Sequence, residues 1–277
     1  MEERSFVRHK VALQATLFLI SCAIVSSEIR KQRLLRAKTS AVGCQSALGM
    51  EETMKKGLTE IVFILDRSGS MSGLEADTIG GYNSLMERQK KEDGEAYIST
   101  VLFDDVCEVL HDRVSLDSIQ SMTDKEYYVR GCTALLDAIG GAIHHIGNIH
   151  KYAREEDRPE KTLFIITTDG QENSSQRYSY EKVKHMVERQ KEKFGWEFLF
   201  LGANIDAIAE AGRFGIRADR AVNYHNDSVG TAVCYQSLNM AVSKVRSCAD
   251  ASKMEEALCA WDGAIQADYQ KRGKNKK

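Results

Sequence analysis

The chain has 277 residues, of which 43% are hydrophobic and 28% are charged, enough for one or two domains with a buried core. The formal net charge of −2 argues against a nucleic-acid-binding surface. The seven cysteines are odd in number and widely spaced, with no Cys-x-x-Cys pair, so they match neither a disulfide framework nor a zinc site. We therefore expect free thiols and a reducing compartment.

Residues 1–58 are an N-terminal extension to the pattern of strands and helices. Within it, residues 11–27 carry no charged side chain, as in the apolar region of a signal peptide or in a short membrane span. Polar residues dilute this run, and it is shorter than the ~20 residues of a usual spanning helix. Met54 lies directly before the first strand and is an alternative start. We favour a cytoplasmic protein that begins there; export or membrane anchoring through residues 11–27 is the alternative.

From residue 59 onward, short apolar runs alternate with amphipathic stretches. The runs at 61–65, 97–103, 163–166 and 198–201 are continuous, as in strands buried on both faces of a parallel sheet. Weaker patterns predict an edge strand over 107–114 and a last strand over 221–224.

Apolar residues also recur at helical spacing around 79–86, 135–149 and 183–190, and a closing helix is predicted over 229–246. This alternation predicts an α/β fold: a doubly wound, Rossmann-like, mostly parallel central sheet with helices on both faces. We expect the domain to cover residues 59–247, with a C-terminal helix and basic tail over 248–277.

Polar residues cluster where the predicted strands and helices meet. The first strand ends in Asp66, and Ser68 and Ser70 follow at alternate positions. Thr133 lies in the loop that opens the long central helix, and Asp169 ends the third apolar run. Because ligands of open α/β sheets bind beyond the carboxyl ends of the strands, these residues belong to one rim. Oxygen ligands of this kind suit a hard cation, Mg²⁺ first and Mn²⁺ or Ca²⁺ as alternatives, and not zinc.

With these residues in place, the sequence resembles a von Willebrand factor A domain with an intact metal-ion-dependent adhesion site. The resemblance covers roughly residues 59–246, and the run 61–70 is closer to bacterial cytosolic members than to secreted adhesins. It implies that the hydroxyls of Ser68, Ser70 and Thr133 bind the metal. It also implies that Asp66 and Asp169 act directly or through water.

The resemblance implies a metal-dependent binding or scaffold module that engages an exposed Asp or Glu of a partner protein. No catalytic base or nucleophile is evident beside the predicted site, so we expect no enzymatic activity and no nucleic-acid partner. Membrane contact is expected only if residues 11–27 act as an anchor. The alternative is an accessory subunit of an ATPase, chelatase or stress-response enzyme, with weak or no hydrolase activity of its own.

Other conspicuous residues have simpler interpretations. His144, His145 and His150 lack the spacing of a metal-binding helix and are expected on a solvated flank. Cys132 is expected to be a small buried packing residue. Tyr127, Tyr128 and Arg130 precede the loop at Gly131 and are candidates for ligand contact, with packing of Tyr128 beneath that loop as the alternative. The Gly140-Gly141 pair is expected to let its helix approach the sheet closely.

Overall fold

The structure, a computed structural model, describes residues 55–273, with side chains from Gly57 onward. Six strands form one sheet in the order β3-β2-β1-β4-β5-β6, parallel except for β3, which pairs antiparallel with β2 at one edge. The strands are β1 (Lys55–Asp66), β2 (Ala96–Phe103), β3 (Cys107–Ser115), β4 (Pro159–Thr168), β5 (Glu197–Ala203) and β6 (Ala221–Tyr224). The mostly parallel sheet confirms the predicted α/β class.

Helices connect these strands and cover both faces of the sheet. They are α1 (Glu75–Gln89), α2 (Leu135–Tyr152), α3 (Tyr180–Phe194), α4 (Ala207–Arg213), α5 (Ser228–Ser247), α6 (Met254–Ala257) and α7 (Gly263–Gly273). Helices α1 and α5 pack on one face, and α2 and α3 contribute to the core on the other face. The short helix α4 was not predicted, because seven residues are too few to show a helical period.

The continuous apolar run of β1 is explained by burial on both faces. Ile61, Phe63 and Leu65 belong to the core beneath α1 and α5, whereas Val62 and Ile64 belong to the core beneath α2 and α3. A strand whose alternate residues enter two cores needs apolar side chains at every position. The segment after α5 adds Trp261 and Ile265 to the first of these cores.

The strand order reverses beside β1. The chain passes from β1 through α1 to its neighbour β2, and later returns through α2 to β4 on the other side of β1. A crevice forms at such a reversal, outside the carboxyl ends of the two strands. Asp66 ends β1 and Asp169 follows β4, so both lie at this point.

The Gly140-Gly141 pair differs from its prediction. A Cβ atom on Gly140 would lie 2.4 Å from the ring of Tyr178, whereas one on Gly141 would meet no atom within 4 Å. The close approach that glycine permits is therefore to the loop between β4 and α3, not to the sheet.

Within residues 55–273, the structure contains no helix that is both long and apolar enough to cross a membrane. The apolar run 11–27 lies outside the described residues, as does Met54.

Candidate metal centre

Asp66 is anchored through both of its carboxylate oxygens. The amide of Ser68 donates to Oδ1 at 2.7 Å, and the hydroxyl of Thr168, at the end of β4, donates to Oδ2 at 2.6 Å. The hydroxyl of Tyr127 donates to the backbone carbonyl of Asp66 at 2.5 Å. Asp66 is buried, and these three bonds fix the turn that follows β1.

The other four predicted residues form one continuous chain of side-chain hydrogen bonds. Thr133 Oγ1 donates to Ser68 Oγ at 3.1 Å, Ser68 Oγ and Ser70 Oγ are 3.1 Å apart, and the hydroxyl of Ser70 donates to Oδ1 of Asp169. Ser68, Thr133 and Asp169 are buried, whereas Ser70 is exposed. The structure thus brings all five residues together and leaves the cluster open on the side of Ser70.

Backbone bonds hold the three contributing loops in register. The amide of Gly69 donates to the carbonyl of Gly131 at 3.2 Å, which ties the loop after β1 to the loop before α2. Asn173 ties the second loop to the third: its Oδ1 accepts from the amide of Thr133 at 2.9 Å, and its own amide donates to the Thr133 carbonyl at 3.0 Å. Gly131 has φ +68°, and a Cβ atom there would lie 2.2 Å from the Asp105 carboxylate, so this loop requires glycine.

Burial and mutual repulsion shape the electrostatics of the two carboxylates. The pKa of Asp169 is raised to about 6, chiefly by burial and also by the charge of Asp66, against hydrogen bonds from Ser70 and Asn226 that lower it. Burial also raises the pKa of Asp66, against hydrogen bonds from Ser68 and Thr168. Two neighbouring carboxyl groups with raised pKa values ionise more readily when a cation lies beside them, so positive charge is favoured at this position.

Asn226 is a neighbour of the candidate site that the sequence did not reveal. Its Nδ2 donates to Oδ2 of Asp169 at 2.9 Å, while its own Oδ1 is buried without a hydrogen-bond partner among the described residues. A buried amide oxygen without a partner has an unfavourable free energy. In this unfavourable conformation the Asn226 side chain donates to the Asp169 carboxylate and orients it.

The donor set fits a hard divalent cation. Three hydroxyl oxygens and the Asp169 carboxylate point towards one another instead of into solvent, and oxygen donors of this type are those that Mg²⁺, Mn²⁺ and Ca²⁺ prefer. Residues 57–273 contain no group of three or more His, Cys, Asp or Glu side chains placed to hold a metal. The cluster of Ser68, Ser70, Thr133 and Asp169 consists mainly of hydroxyl groups.

A second polar cluster supports the rim next to this centre. Arg67 is fully buried, and its Nε donates to Asp104 at 2.8 Å while Nη2 donates to Glu108 at 2.8 Å. Arg130 also donates to Asp104, at 2.8 Å. Tyr128 is exposed between the two guanidinium groups, so the alternative in which it packs beneath the loop was wrong. Tyr127, its neighbour, occupies that position.

Two further expectations about single residues were also wrong. His150 is buried and lies 2.6 Å from Glu60, a buried carboxylate that also accepts a hydrogen bond from Arg113. A buried carboxylate needs partners. The spacing of the histidines could not show that Glu60, 90 residues earlier in the chain, lies beside His150 in the fold. Cys132 is exposed and not a buried packing residue.

Comparison with known proteins gives similarity in structure alone. The chain matches no known protein-family profile and no curated protein sequence. Among solved structures, proximal thread matrix protein 1 from the mussel byssus is 17% identical with a TM-score of 0.48, covering 69% of this chain and 47% of that protein. One crystal of that protein is described as having a zinc-occupied MIDAS motif.

Two further structures carry VWA or vWF in their names. The ArnB paralog VWA2 from Sulfolobus acidocaldarius is 21% identical with a TM-score of 0.41, covering 68% of this chain and 45% of that protein. The vWF domain of the pilus tip protein Mfa5 from Porphyromonas gingivalis is 11% identical with a TM-score of 0.49, covering 66% and 96%. The chain spans less than half the length of the mussel and Sulfolobus proteins that it matches.

Proposed function

We propose that this chain is a von Willebrand factor A-type binding module with an intact metal-ion-dependent adhesion site. In this proposal Asp66, Ser68, Ser70, Thr133 and Asp169 hold a divalent cation, and the cation binds an Asp or Glu of a partner protein. One observation carries the proposal. Three hydroxyls from two loops and the carboxylate from a third are linked in an unbroken chain at the point where the strand order reverses.

The cation supplies a positive charge that bridges this chain and its partner. The hydroxyls are neutral, and Asp66 uses both of its oxygens to accept hydrogen bonds from Ser68 and Thr168. The Asp169 carboxylate accepts from the Ser70 hydroxyl at the end of the hydroxyl chain. Neutral hydroxyls leave part of a dication's coordination shell to other oxygen ligands, so a hard, anionic oxygen on the open side near Ser70 is favoured. A partner carboxylate meets that requirement.

The proposal is for binding and not for catalysis. A hydrolase would need a positioned base or nucleophile beside the metal. Three of the histidines have partners outside the five residues proposed to hold the cation: His145 bonds Asp112, His150 bonds Glu60, and His225 bonds the carbonyl of Tyr269. A role as an accessory subunit of an enzyme uses the same metal site and differs only in the partner.

Calorimetric titration of the full chain with Mg²⁺, Mn²⁺ and Zn²⁺ tests the metal site. We expect Mg²⁺ and Mn²⁺ to bind the wild type, and the paired change Ser68→Ala with Ser70→Ala to lower their affinity by at least about tenfold, because two ligands are lost. Asp169→Ala should have an equal or larger effect. Asp124→Ala removes an exposed carboxylate in the loop before α2 and serves as the control, with unchanged affinity.

Two outcomes would contradict the proposal. Equal Mg²⁺ uptake by the wild type and the Asp169→Ala variant would remove the assigned ligand. Binding of Zn²⁺ with no binding of Mg²⁺ or Mn²⁺ would refute the preference for hard cations. An affinity capture from extract, with and without chelator, then tests whether a protein is retained only when the cation is present.

We infer a cytoplasmic location, on the odd number and wide spacing of the cysteines. Intact-mass analysis of the native protein and cell fractionation test this inference. A product processed after residues 11–27 and found outside the cytoplasm would overturn it.

A further inference from the structure

A polar cleft adjoins the candidate metal centre. It has a volume of about 390 Å³ and lies beyond the carboxyl ends of β5 and β6, beneath Tyr269 of helix α7. Its lining includes Gln171, two residues after Asp169, and Asn226, whose amide donates to the Asp169 carboxylate. Asn226 is therefore a wall shared by the cleft and the metal centre, so a ligand that reaches one can extend into the other.

The walls of the cleft are braced by contacts within the fold. The ring of His225 stacks on that of Tyr269 with centroids 4.5 Å apart, and its Nε2 lies 3.2 Å from the Tyr269 carbonyl. Arg272, one turn further along α7, pairs with Asp227 at 2.6 Å. A cleft held in this way is formed before a ligand arrives, which reduces the entropic cost of binding.

The charged groups of the cleft are already engaged. Asp206 accepts a hydrogen bond from the Ala209 amide at 3.0 Å and so caps α4. Asp227 caps α5 through the Gly230 amide at 2.8 Å, and it also pairs with Arg272. Asp227 is thus paired with a cation, and the Asp206 carboxylate lies at the N-terminus of α4, whose partial positive charge opposes its own.

The uncharged amides of the cleft are available to a ligand. Gln171 and Asn204 are exposed, and neither side chain makes a hydrogen bond to another residue of the described range. Asn204 directly follows β5 and has φ +55°, a left-handed conformation that asparagine tolerates better than most residues. This conformation and the neighbouring helix cap at Asp206 fix the backbone position from which the Asn204 side chain extends.

Resting on the proposed function, we propose that this cleft is a specificity subsite for the partner's chain next to its metal-bound acid. The subsite receives a side chain within two positions of the Asp or Glu, because an extended peptide advances only ~3.3 Å per residue. It selects an uncharged side chain with a hydroxyl or amide group. Such a group satisfies the amides of Gln171 and Asn204, whereas a charged group would be desolvated without an ion partner.

A peptide library tests the subsite with the full chain as the bait. The peptides carry one fixed Asp with two randomised positions on each side, and binding is measured in Mn²⁺ and in chelator. We expect Mn²⁺-dependent binders to be enriched in Asn, Gln, Ser, Thr or Tyr at one of the four positions. Asn204→Ala should weaken the selected peptides by about three- to tenfold, the effect of one neutral hydrogen bond.

Two controls separate the subsite from the metal centre. Asn148→Ala removes an exposed amide from α2 and should leave every peptide affinity unchanged. Asn204→Ala should leave the affinity for Mn²⁺ unchanged. The variant should also bind peptides with Gly at the selected position as tightly as the wild type does.

The remaining outcomes contradict either the subsite alone or the acidic partner as well. Mn²⁺-dependent binders without a side-chain preference, or a preference that survives in Asn204→Ala, would overturn the subsite and leave the metal-dependent function standing. Metal uptake with no Mn²⁺-dependent peptide would instead refute the acidic partner, and the subsite would fall with it.

Discussion

Hydroxyl oxygens, which carry no formal charge, dominate the candidate site at the scale of single residues. Ser68, Ser70 and Thr133 are joined to one another by hydrogen bonds, and the Asp169 carboxylate accepts at the end of their chain. Asp169 and the nearby Asp66 both have raised pKa values. Ionisation of Asp169 is therefore less favourable than that of an ordinary exposed Asp, and a bound cation would offset this difference.

The pKa of Asp169 predicts how stability depends on pH when no metal is bound. Its folded value of about 6 lies above the ordinary value of 3.8, so its contribution to stability is fully present below pH 3.8 and is lost as pH rises through 6. In chelator, lowering the pH from 7.5 to 5 should therefore raise this contribution by about 1.4 kcal/mol.

Urea denaturation in chelator at several pH values measures this effect. Asp169→Asn removes the titrating group, so the difference between wild type and variant isolates its contribution from those of the histidines. A pH-independent difference would contradict the prediction. With saturating Mg²⁺ the dependence should reverse, because the cation favours the ionised carboxylate.

Gly170 gives a second test at the scale of one residue. A Cβ atom there would lie 3.0 Å from Thr133 Oγ1 and 3.2 Å from Ser70 Oγ, so Gly170→Ala should push two of the assigned metal ligands apart. We expect Mg²⁺ affinity to fall several-fold in calorimetric titration. Gly80→Ala, where no atom lies within 4 Å of the added carbon, is the matched control. Unchanged affinity in Gly170→Ala would mean that these hydroxyls are not ligands.

Among the secondary-structure elements, the loop after β4 caps helix α2. The helix has no side-chain cap of its own; instead, the amide of Leu136 donates to Glu172 at 2.8 Å and that of Asp137 donates to Ser175 at 3.0 Å. Asp137 in turn accepts from the amide of Tyr178 at 2.9 Å. The amides at a helix start need such acceptors. This reciprocal capping ties the loop of Thr133 to the loop of Asp169, so the two ligand loops move together.

The glycine pair in α2 tests how closely this loop packs on the helix. Gly140→Ala should destabilise the protein by about 1–3 kcal/mol, because its new methyl group overlaps the Tyr178 ring. Gly141→Ala, one position later and in open space, should stabilise it by up to about 1 kcal/mol through helix propensity. Thermal denaturation of the two variants measures both effects. Equal effects would show that Tyr178 does not rest on Gly140.

The described residues form one sheet with a hydrophobic core on each face. Strand β1 lies between β2 and β4 in the middle of this sheet. Pairing of β1 with β4 begins at Lys55, opposite Pro159. Lys55 is also the first residue that the structure describes.

The position of β1 predicts that a chain starting at Met54 folds. We expect its free energy of unfolding to equal that of the full chain within about 0.5 kcal/mol, because every strand of the sheet is retained. Urea denaturation of the two forms compares them, and Mg²⁺ titration checks that the site is intact in both. A large loss of stability on truncation would show that residues 1–53 contribute to the folded domain.

The sequence alone was enough to predict the sheet, its main helices and the five residues of the candidate site. The reason is that burial on both faces demands unbroken apolar runs such as 61–65. Parallel strands also place Asp66 and Asp169 at the same edge wherever their neighbours lie. Whether these residues bind a metal is still a prediction.

Only the tertiary structure revealed the residues that hold the site in place. Asn226 bonds Asp169 across 57 residues, Thr168 bonds Asp66 across 102, and Glu60 meets His150 across 90. None of these pairs has a spacing or motif that marks it, because each partner lies on a different element and the order of strands in the sheet decides which elements meet. Local periodicity therefore predicts the elements, and the hydrogen-bond partners emerge only when the elements are assembled.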